Sequence, residues 1–301
     1  MYKLKDWIPF DKIDWRELSG NPNAIALLAD NPDKIDWGEL SGNPNAIELL
    51  HKHSDKIDWR RLSRNSRAME LLCKHPDKID WREICTNPNA IELLEKNPEK
   101  IQQEDWEWIS ENPNAIGLLS KHRDKIDWTW LSGNPNAMDL LREHPNKIDW
   151  EVLSGNSNAL ELLREHPDKI NWTWLSGNPM AMELLEQNPD NIHWREVCQT
   201  MLSKNPQAIR FIEQNQDQLT WWEWDVLSQN PHAIELLENN REKINWDLLW
   251  GNPSIFVLDY TALKKRCAVY KEELIQIAMH PSRIEKYLNQ GIEIDDLDRV
   301  I

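Results

Sequence analysis

The sequence predicts an all-α fold, a right-handed α-solenoid of about eleven two-helix repeats with a helical C-terminal cap. Three observations predict it: a tryptophan that recurs mostly every 22 residues, a helical apolar period within each repeat, and a polar junction between two short helices. We number the repeats 1 to 11 after their tryptophans, which are Trp15, Trp37, Trp59, Trp81, Trp106, Trp128, Trp150, Trp172, Trp194, Trp224 and Trp246.

The first helix of each repeat carries its own start and stop signals. In repeat 1, Asp14 stands where an N-cap residue should, and Glu17 lies three positions later, which is the spacing of a capping box. Trp15 and Leu18 share one helix face, and we expect that face to be buried. Gly20 is expected to end the helix because glycine readily adopts a positive φ.

The second helix follows at once. Asn21 and Pro22 are predicted to be its N-cap and first residue, since proline suits a position whose amide needs no partner. Its apolar stripe is formed by Ala24, Ile25, Leu27 and Leu28. Helices this short are marginal alone, so the repeats must stack. With layers about 8 to 10 Å apart, we expect an open, curved rod on the order of 100 Å long.

The repeats are less regular at three joints, and the ends of the chain depart from the period. The joints are stretched by residues 102–104, by residues around 198–202, and by three residues before the tryptophan-rich run at 221–224. We divide the chain into an N-terminal cap at residues 1–10, a solenoid at 11–253 and a helical C-terminal cap at 254–301. The caps are expected to cover the open ends of the stack.

The repeat resembles two known groups of proteins. The Asn-Pro-Asn junction and paired short helices resemble leucine-rich variant repeats, a solenoid family that alternates α-helices with 3-10 turns. The motif Ile-Asp-Trp-x-x-Leu-Ser-Gly-Asn-Pro-Asn-Ala-Ile-Glu-Leu-Leu, across residues 11–253, more closely resembles tandem repeat proteins encoded by giant DNA viruses of protists. The segment His280 to Gly291 is similar to the ends of such proteins. The resemblance implies a viral origin and says little about activity.

Composition narrows the classes of partner. The net charge is -16, and lysines alternate with carboxylates, whereas binding to nucleic acid requires a cationic surface. We therefore expect no direct nucleic-acid binding, although an acidic rod that imitates DNA is an alternative. No apolar run approaches the ~20 residues of a membrane span, and no signal-peptide pattern is present. We expect no membrane association and no small-molecule substrate, and a cytoplasmic location, in the host cell if the protein is viral.

The chemistry-bearing residues are explained by the repeat, so no cofactor, metal or catalytic site is predicted. The recurring histidines share their slot with asparagine, which cannot replace imidazole at zinc but can end a helix. The recurring aspartates occupy the N-cap slot. The four cysteines, Cys73, Cys85, Cys198 and Cys267, form no Cys-x-x-Cys pair, and we expect reduced thiols. The protein is therefore predicted not to be an enzyme.

One slot changes character along the chain. Two residues after the repeat tryptophan, repeats 1 to 4 have charged residues, whereas repeats 5 to 8 have Trp108, Trp130, Val152 and Trp174. Equivalent positions of a solenoid stack in register, so these residues should form one apolar ridge. Exposed, such a ridge would mark a contact surface, and tryptophan is enriched in binding hot spots. Folded inward, they would be extra core. Trp221 and Trp222 present the same two alternatives.

These expectations combine into one functional hypothesis. We predict a non-catalytic, virus-encoded scaffold, because a solenoid has a long surface and no central pocket for chemistry. It is expected to bind another protein through the solenoid face that carries the ridge, and through Trp221 and Trp222. The alternatives are an acidic decoy that occupies a nucleic-acid-binding protein and a structural component of a virion.

Overall fold

The computed structural model describes residues 2–278, 280, 281 and 283–285. The chain divides into two compact units, Lys5–Phe256 and Met1–Leu4 together with Val257–Ile301. Short α-helices alternate with 3-10 turns along the larger unit, which confirms the predicted all-α repeat fold.

Repeats 1 to 10 each contribute a first helix and a second helix, repeat 11 contributes a first helix, and a 3-10 turn precedes each repeat. The first helices span Trp15–Gly20, Trp37–Gly42, Trp59–Arg64, Trp81–Ile84, Trp106–Glu111, Trp128–Gly133, Trp150–Ser154, Trp172–Ser176, Trp194–Glu196, Trp221–Gln229 and Trp246–Leu249. The second helices span Ile25–Asp30, Ile47–Lys52, Met69–Lys74, Ile91–Lys96, Ile116–Lys121, Met138–Glu143, Leu160–Glu165, Met182–Glu186, Ala208–Gln214 and Ile234–Asn239.

The 3-10 turns lead from one repeat to the next. They span Phe10–Lys12, Pro32–Lys34, Ser54–Lys56, Pro76–Lys78, Pro98–Lys100, Arg123–Lys125, Pro145–Lys147, Pro167–Lys169, Pro189–Asn191, Gln216–Gln218 and Arg241–Lys243. Shorter 3-10 segments lie at Gln103–Asp105, Pro113–Ala115, Pro231–Ala233 and Pro253–Ile255. In repeat 9 the first helix continues through a π-helical segment, Val197–Met201, into Leu202–Lys204, and so accommodates the inserted residues.

The aspartate caps form as predicted, but the glutamate arm of the capping box does not. The Asp14 carboxylate accepts hydrogen bonds from the backbone amides of Arg16 and Glu17 at 2.9 and 3.2 Å. In repeat 2 the corresponding glutamate, Glu39, instead pairs with Arg16 and Arg61 of the neighbouring repeats. The slot two residues after the tryptophan is therefore free to change without loss of the cap.

The second helices begin later than predicted. The Asn21 carbonyl accepts from the Ala24 amide at 3.1 Å, and its side chain accepts from the Asn23 amide at 3.0 Å. The Asn-Pro-Asn segment is thus a separate turn, and the helix starts at Ile25. The expectation that Pro22 is the first helical residue is wrong, because Asn21 caps this turn rather than the helix.

The core is built from the leucine and alanine positions. Leu18, Ala24 and Leu28 have no exposed surface in repeat 1, and the equivalent positions repeat along the unit. Trp15 is only half-buried, so the prediction that it is buried with Leu18 is wrong. The tryptophan lies at the edge of the layer, where one side of its ring is open.

The residue sixteen positions after the repeat tryptophan is histidine or asparagine, and a histidine there covers part of the indole ring. Where the slot holds histidine, the imidazole packs on the tryptophan of its own repeat, as in Trp37 with His53 at 5.0 Å and Trp128 with His144 at 4.9 Å between ring centroids. Where it holds asparagine, the side chain bonds to the end of the second helix; Asn31 Nδ2 donates to the Leu27 carbonyl at 2.9 Å. Both residue types therefore serve the repeat itself.

A ladder of buried asparagine side chains joins one repeat to the next. Asn43 Nδ2 donates to the carbonyls of Ser19 and Asn21, both at 3.0 Å. The same pair of bonds, to residues of the preceding layer, is made by Asn65, Asn87, Asn112, Asn134, Asn156, Asn178 and Asn252. Each rung satisfies two backbone carbonyls that stacking removes from water.

The ladder also joins the first repeat to the last. Asn21 Nδ2 donates to the carbonyls of Trp250 and Asn252 at 2.9 and 3.0 Å, and Asn23 Nδ2 donates to the Pro253 carbonyl at 2.9 Å. Asn21 thus makes the same pair of bonds that Asn43 and the other rungs of the ladder make with the preceding layer. The repeats of Lys5–Phe256 therefore close into a ring, and the expected open rod with capped ends is wrong.

The seam between repeats 11 and 1 has aromatic residues of its own. Trp250 occupies the slot that holds serine in most repeats; it is fully buried, and its Nε1 donates to the Lys12 carbonyl at 2.6 Å. Trp7 packs on the ring of Trp246 with 6.3 Å between centroids. Trp7 of the predicted N-terminal cap thus packs against the last repeat.

The stretched joints follow the two repeats in which cysteine replaces the usual serine. Ser19 Oγ donates to the Trp15 carbonyl and accepts from the amide of Asp36, the next N-cap. Cys85 and Cys198 stand at this position, four residues after their tryptophans. In repeat 5 the 3-10 turn Gln103–Asp105 precedes the helix and carries a capping box of Gln102 with Asp105. In repeat 10 the helix itself begins three residues before Trp224, at a capping box of Thr220 with Glu223. The inserted residues therefore cap the next first helix in the two places where a cysteine stands instead of the serine that accepts a hydrogen bond from the next N-cap amide.

Both of these thiols are buried. Burial raises the pKa of Cys85 to about 12, with the carboxylates of Asp105 and Asp80 adding to the effect. Burial likewise raises the pKa of Cys198 to about 12, with Glu223 adding to it. Cys73 and Cys267 are exposed, and none of the four cysteines is in a disulfide.

The smaller unit contains a two-stranded sheet and a long helix. Strand β1, Tyr2–Leu4, pairs with strand β2, Phe256–Leu258, and the helix spans Tyr260–Ala278. This is one long helix within the predicted cap at 254–301; Met279, Ser282 and residues 286–301, including most of the tail from His280 to Gly291, lie outside the described residues. Among the described helices, none has the length and apolarity needed to cross a bilayer.

Candidate functional site

The first helices line the inner side of the ring. Successive first helices pack closely on one another, whereas successive second helices are more widely spaced, and in a closed ring the closer layer is the inner one. Leu18 and Ser19 point into the core, so the opposite helix face points inward. We call inner wall the surface formed in each repeat by the first, second and fifth residues after the tryptophan. With layers roughly 8 to 10 Å apart, eleven helix axes form a circle roughly 30 Å across.

The apolar slot of repeats 5 to 8 lies on this inner wall. Trp108 and Trp130 stack with 6.1 Å between ring centroids and 29° between ring planes, and both are half-buried. Val152 is half-buried, and Trp174 is 43% exposed. The four side chains therefore follow one another around the wall and are not extra core; we call them the ridge.

Glycines of the preceding repeats leave space for two of the ridge side chains. A Cβ atom on Gly133 would lie 3.1 Å from Val152 Cγ1, and one on Gly155 would lie 3.2 Å from Trp174 Cε3. Each glycine thus lies beneath the ridge residue of the next repeat. The residues after these first helices have negative φ, -81° at Gly155 and -87° at Gly177, so the predicted positive φ is wrong.

The seam repeats this relationship. A Cβ atom on Gly251 would lie 3.4 Å from Glu17 Oε2, just as Gly133 lies against Val152. The inner wall is therefore continuous through repeats 11 and 1. Burial raises the pKa of Glu17 at this point, and the carboxylates of Asp14 and Glu39 add to the effect.

A narrow cleft runs along the far end of the ridge. Its volume is about 140 Å³, and it is lined by Trp130, Val152 and Trp174, the glycines beneath them, and charged residues at its margins that include Glu111, Glu196 and Lys204. Trp174 Nε1 donates to the Glu151 carboxylate at 3.1 Å, which holds the indole with one face toward the cleft. An apolar side chain fits such a cleft, and its polar margin would orient the remainder of a ligand.

Trp221 and Trp222 are separate from the ridge in the chain and differ from each other in exposure. Trp221 is 74% exposed. Trp222 is half-buried and lies beneath the guanidinium of Arg195, with 4.1 Å from Cζ to the ring centroid. The buried tryptophan of this helix is Trp224, so the insertion at this joint adds aromatic surface outside the core.

The inner wall also has a basic sector that sequence reasoning missed. In repeats 3 and 4 it carries Arg60, Arg61, Arg64 and Arg82. Arg60 and Arg64 both pair with Glu83, at 2.7 and 3.5 Å, and Arg61 pairs with Glu39. Arg60, Arg61 and Arg64 line a cleft of about 670 Å³ together with Glu39, Asp58 and Glu83. The signal was present in the sequence, since Arg61 and Arg64 stand in slots that hold glutamate and glycine in repeats 1 and 2.

The histidine slot does not form a metal centre in the described part of the chain. No group of three or more histidine, cysteine, aspartate or glutamate side chains is placed there to hold an ion.

Searches against protein-family models, curated proteins and solved structures each found no match for this chain.

Proposed function

We propose that this protein is a non-catalytic scaffold that binds a segment of another protein against the inner wall of its ring. The observation that carries the proposal is the ridge, in which Trp108, Trp130, Val152 and Trp174 follow one another while remaining partly exposed. The leucines of the same first helices, such as Leu131 and Leu153, are fully buried. The repeat therefore has enough core without the ridge, and binding explains the additional aromatic surface.

The size of the ring supports a segment rather than a folded domain. Helices are about 10 to 12 Å wide with their side chains, so a circle of axes roughly 30 Å across leaves an opening of roughly 20 Å. An extended chain or a single helix fits this width. A globular domain of ordinary size does not, because its diameter is about 30 Å or more.

The distribution of charge favours the scaffold over an acidic decoy. At four of the described 3-10 turns a lysine lies beside the preceding aspartate, as in Lys34 with Asp33 at 3.9 Å and Lys169 with Asp168 at 3.7 Å. Carboxylates interrupted by cations do not reproduce the continuous phosphate charge of DNA. Expression from a large DNA virus and action in the host cytoplasm belong to the proposal through the resemblance of the repeat motif.

The test is selection of peptides from a displayed random library on the immobilised protein. The comparison variant is W130E/W174E, since glutamate occupies the same slot in Glu17, Glu39 and Glu196 and the fold accepts it there. The matched control is A26E/A29E, which adds the same charge at exposed positions of a second helix where other repeats carry Glu48 and Glu95.

We expect peptides with apolar side chains to be enriched on the native protein and on A26E/A29E, and to be lost on W130E/W174E. Circular dichroism should show the same helical content in all three proteins. Equal enrichment on W130E/W174E, or no enrichment on the native protein, would refute the proposal.

A further inference from the structure

The charge of the inner wall is uneven, and its positive part adjoins the ridge. The whole chain carries a net charge of -16, yet repeats 3 and 4 place Arg60, Arg61, Arg64 and Arg82 on one stretch of the wall. Repeats 6 to 8 have no arginine or lysine in the corresponding slots, which hold Thr129, Gly133, Glu151, Gly155, Thr173 and Gly177 beside the ridge residues. The arginines therefore form a local cationic sector in an acidic protein.

In the larger cleft Glu39, Asp58 and Glu83 balance Arg60, Arg61 and Arg64 in number, whereas a smaller cleft beside it has fewer carboxylates than arginines. Three guanidinium groups, those of Arg60, Arg64 and Arg82, line a cleft of about 260 Å³ that contains one carboxylate, Glu83. Glu83 is shared by Arg60 and Arg64. Within the part of the chain that the structure describes, the Arg82 side chain has no ion pair and is exposed. Because arginine remains protonated at neutral pH, the cleft holds two excess positive charges.

Trp108 joins the two features. It forms one side of this arginine cleft and is also the first residue of the ridge, stacked on Trp130. A ligand that follows the wall from repeat 4 to repeat 6 thus meets guanidinium groups first and indole rings next. The spacing of 6.1 Å between the rings of Trp108 and Trp130 is close to the repeat of side chains on one face of an extended chain, about 6.6 Å.

We propose, on the basis of the function proposed above, that the bound segment is an extended polypeptide with a carboxylate side chain beside its apolar residues. The aspartate or glutamate binds the guanidinium groups of Arg64 and Arg82, and apolar side chains two and four positions away lie on Trp108 and Trp130. Guanidinium and carboxylate form paired, charge-assisted hydrogen bonds, which fix the register of the segment. The repeat 9 end of the ridge is less basic, because Arg195 lies over Trp222 and Lys204 lines the cleft together with Glu111 and Glu196. The carboxylate contact at the repeat 4 end therefore sets the direction of the segment along the wall.

The test uses the random peptide library and a charge reversal in the arginine cleft. R82E breaks no ion pair, since Arg82 makes none in the described chain, and R64E/R82E removes both proposed contacts. The matched control for the double variant is R142E/R210E, which changes the net charge equally at exposed positions of second helices. Thermal melting establishes that each variant is folded, and R82E alone keeps the test valid where R64E/R82E is unstable.

We expect peptides selected on the native protein to carry Asp or Glu at a constant distance of two residues from the first of two alternating apolar residues, always in the same order. A fluorescent peptide of this kind should bind R82E about tenfold more weakly, the change that loss of one charge-assisted hydrogen bond produces. Its affinity for R142E/R210E should remain within about twofold, because exposed distant charges are largely screened.

The two proposals fail in different ways. Enrichment of apolar residues without acidic ones, or equal binding to R82E and the native protein, would overturn the carboxylate contact and leave the scaffold in place. Loss of all enrichment overturns both. Displacement of the selected peptide by a single-stranded oligonucleotide at equal concentration would also overturn the inference, because it would assign the arginine cleft to phosphate.

Discussion

Asn21 donates two hydrogen bonds, at 2.9 and 3.0 Å, to the carbonyls of Trp250 and Asn252, residues that are 229 and 231 positions away in the chain. The same side chain in repeat 2, Asn43, makes its two bonds to Ser19 and Asn21 at 3.0 Å. The seam is thus equivalent in its polar contacts to an interior interface. A ring in which every layer has two neighbours leaves no end of the stack open to solvent.

Replacement of Asn21 by alanine should destabilise the protein as much as the same change at Asn43. Each change leaves one buried carbonyl without a donor, that of Trp250 or that of Ser19, at a cost of about 1 to 3 kcal/mol, because the Asn252 and Asn21 carbonyls keep the amides of Ile255 and Ala24. Denaturation by urea measures both values. In an open rod the Asn21 change would cost little, so a much smaller loss for Asn21→Ala than for Asn43→Ala would contradict closure.

Trp250→Ser should be among the most destabilising changes, although serine is the usual residue of its slot. Trp250 has no exposed surface and its indole bonds to the Lys12 carbonyl, so removal leaves a cavity and an unpaired carbonyl at the seam. The expected loss is about 3 to 5 kcal/mol. Trp221→Ser is the control, since Trp221 is 74% exposed and its removal should change stability by about 0.5 kcal/mol or less.

The glycines after the first helices should respond differently to alanine. Gly42 has no atom within 4 Å of a Cβ position, and it lies in the helix Trp37–Gly42, so Gly42→Ala should stabilise the protein by about 0.5 to 1 kcal/mol. Gly155→Ala places a methyl group 3.2 Å from Trp174 Cε3 and should give no such gain. Urea denaturation compares the two, and an equal gain at both positions would show that the ridge is not held against the glycines.

Two of the four thiols should react in the folded protein. Alkylation requires the thiolate, and burial raises the pKa of Cys85 and Cys198 to about 12, whereas Cys73 and Cys267 are exposed. Iodoacetamide at pH 8 followed by mass spectrometry should therefore label Cys73 and Cys267 alone, and all four after denaturation. Labelling of Cys85 at the rate of Cys73 would contradict its burial.

The same two thiols should make the fold sensitive to alkaline pH. Their pKa is raised from an ordinary value of 9.0 to about 12, so the native state keeps them protonated after the unfolded chain has begun to ionise. Their contribution is complete below pH 9 and decreases as pH rises toward 12. Cys85→Ala should reduce the slope of stability against pH in this range, as measured by urea denaturation at pH 8 and pH 10.5. An unchanged slope would argue against the raised pKa.

Much of the fold was readable from local pattern. The aspartate caps, the two helices of each repeat and the turn near Pro32 each depend on a few neighbouring residues, so the sequence shows them directly. The ridge could also be predicted as a stack of equivalent slots. Its exposure could not, because the half-burial of Trp130 depends on Trp108 in the preceding layer. The glycines were expected to end helices through a positive φ. The structure shows instead that Gly155 leaves space for Trp174 of the next repeat, a contact that the sequence of one repeat does not show.

The amino-acid sequence by itself determined the unit that repeats, because a period, a cap and an apolar stripe act over a few residues. Only the tertiary structure decided that the units form a ring. Closure of eleven layers requires a rotation of about 33° at each interface, and the curvature of a solenoid accumulates from such small rotations. The sequence of a single repeat does not show the total rotation of eleven repeats. The hydrogen bond between Asn21 and Trp250 exists only because the rotations add up to one full turn.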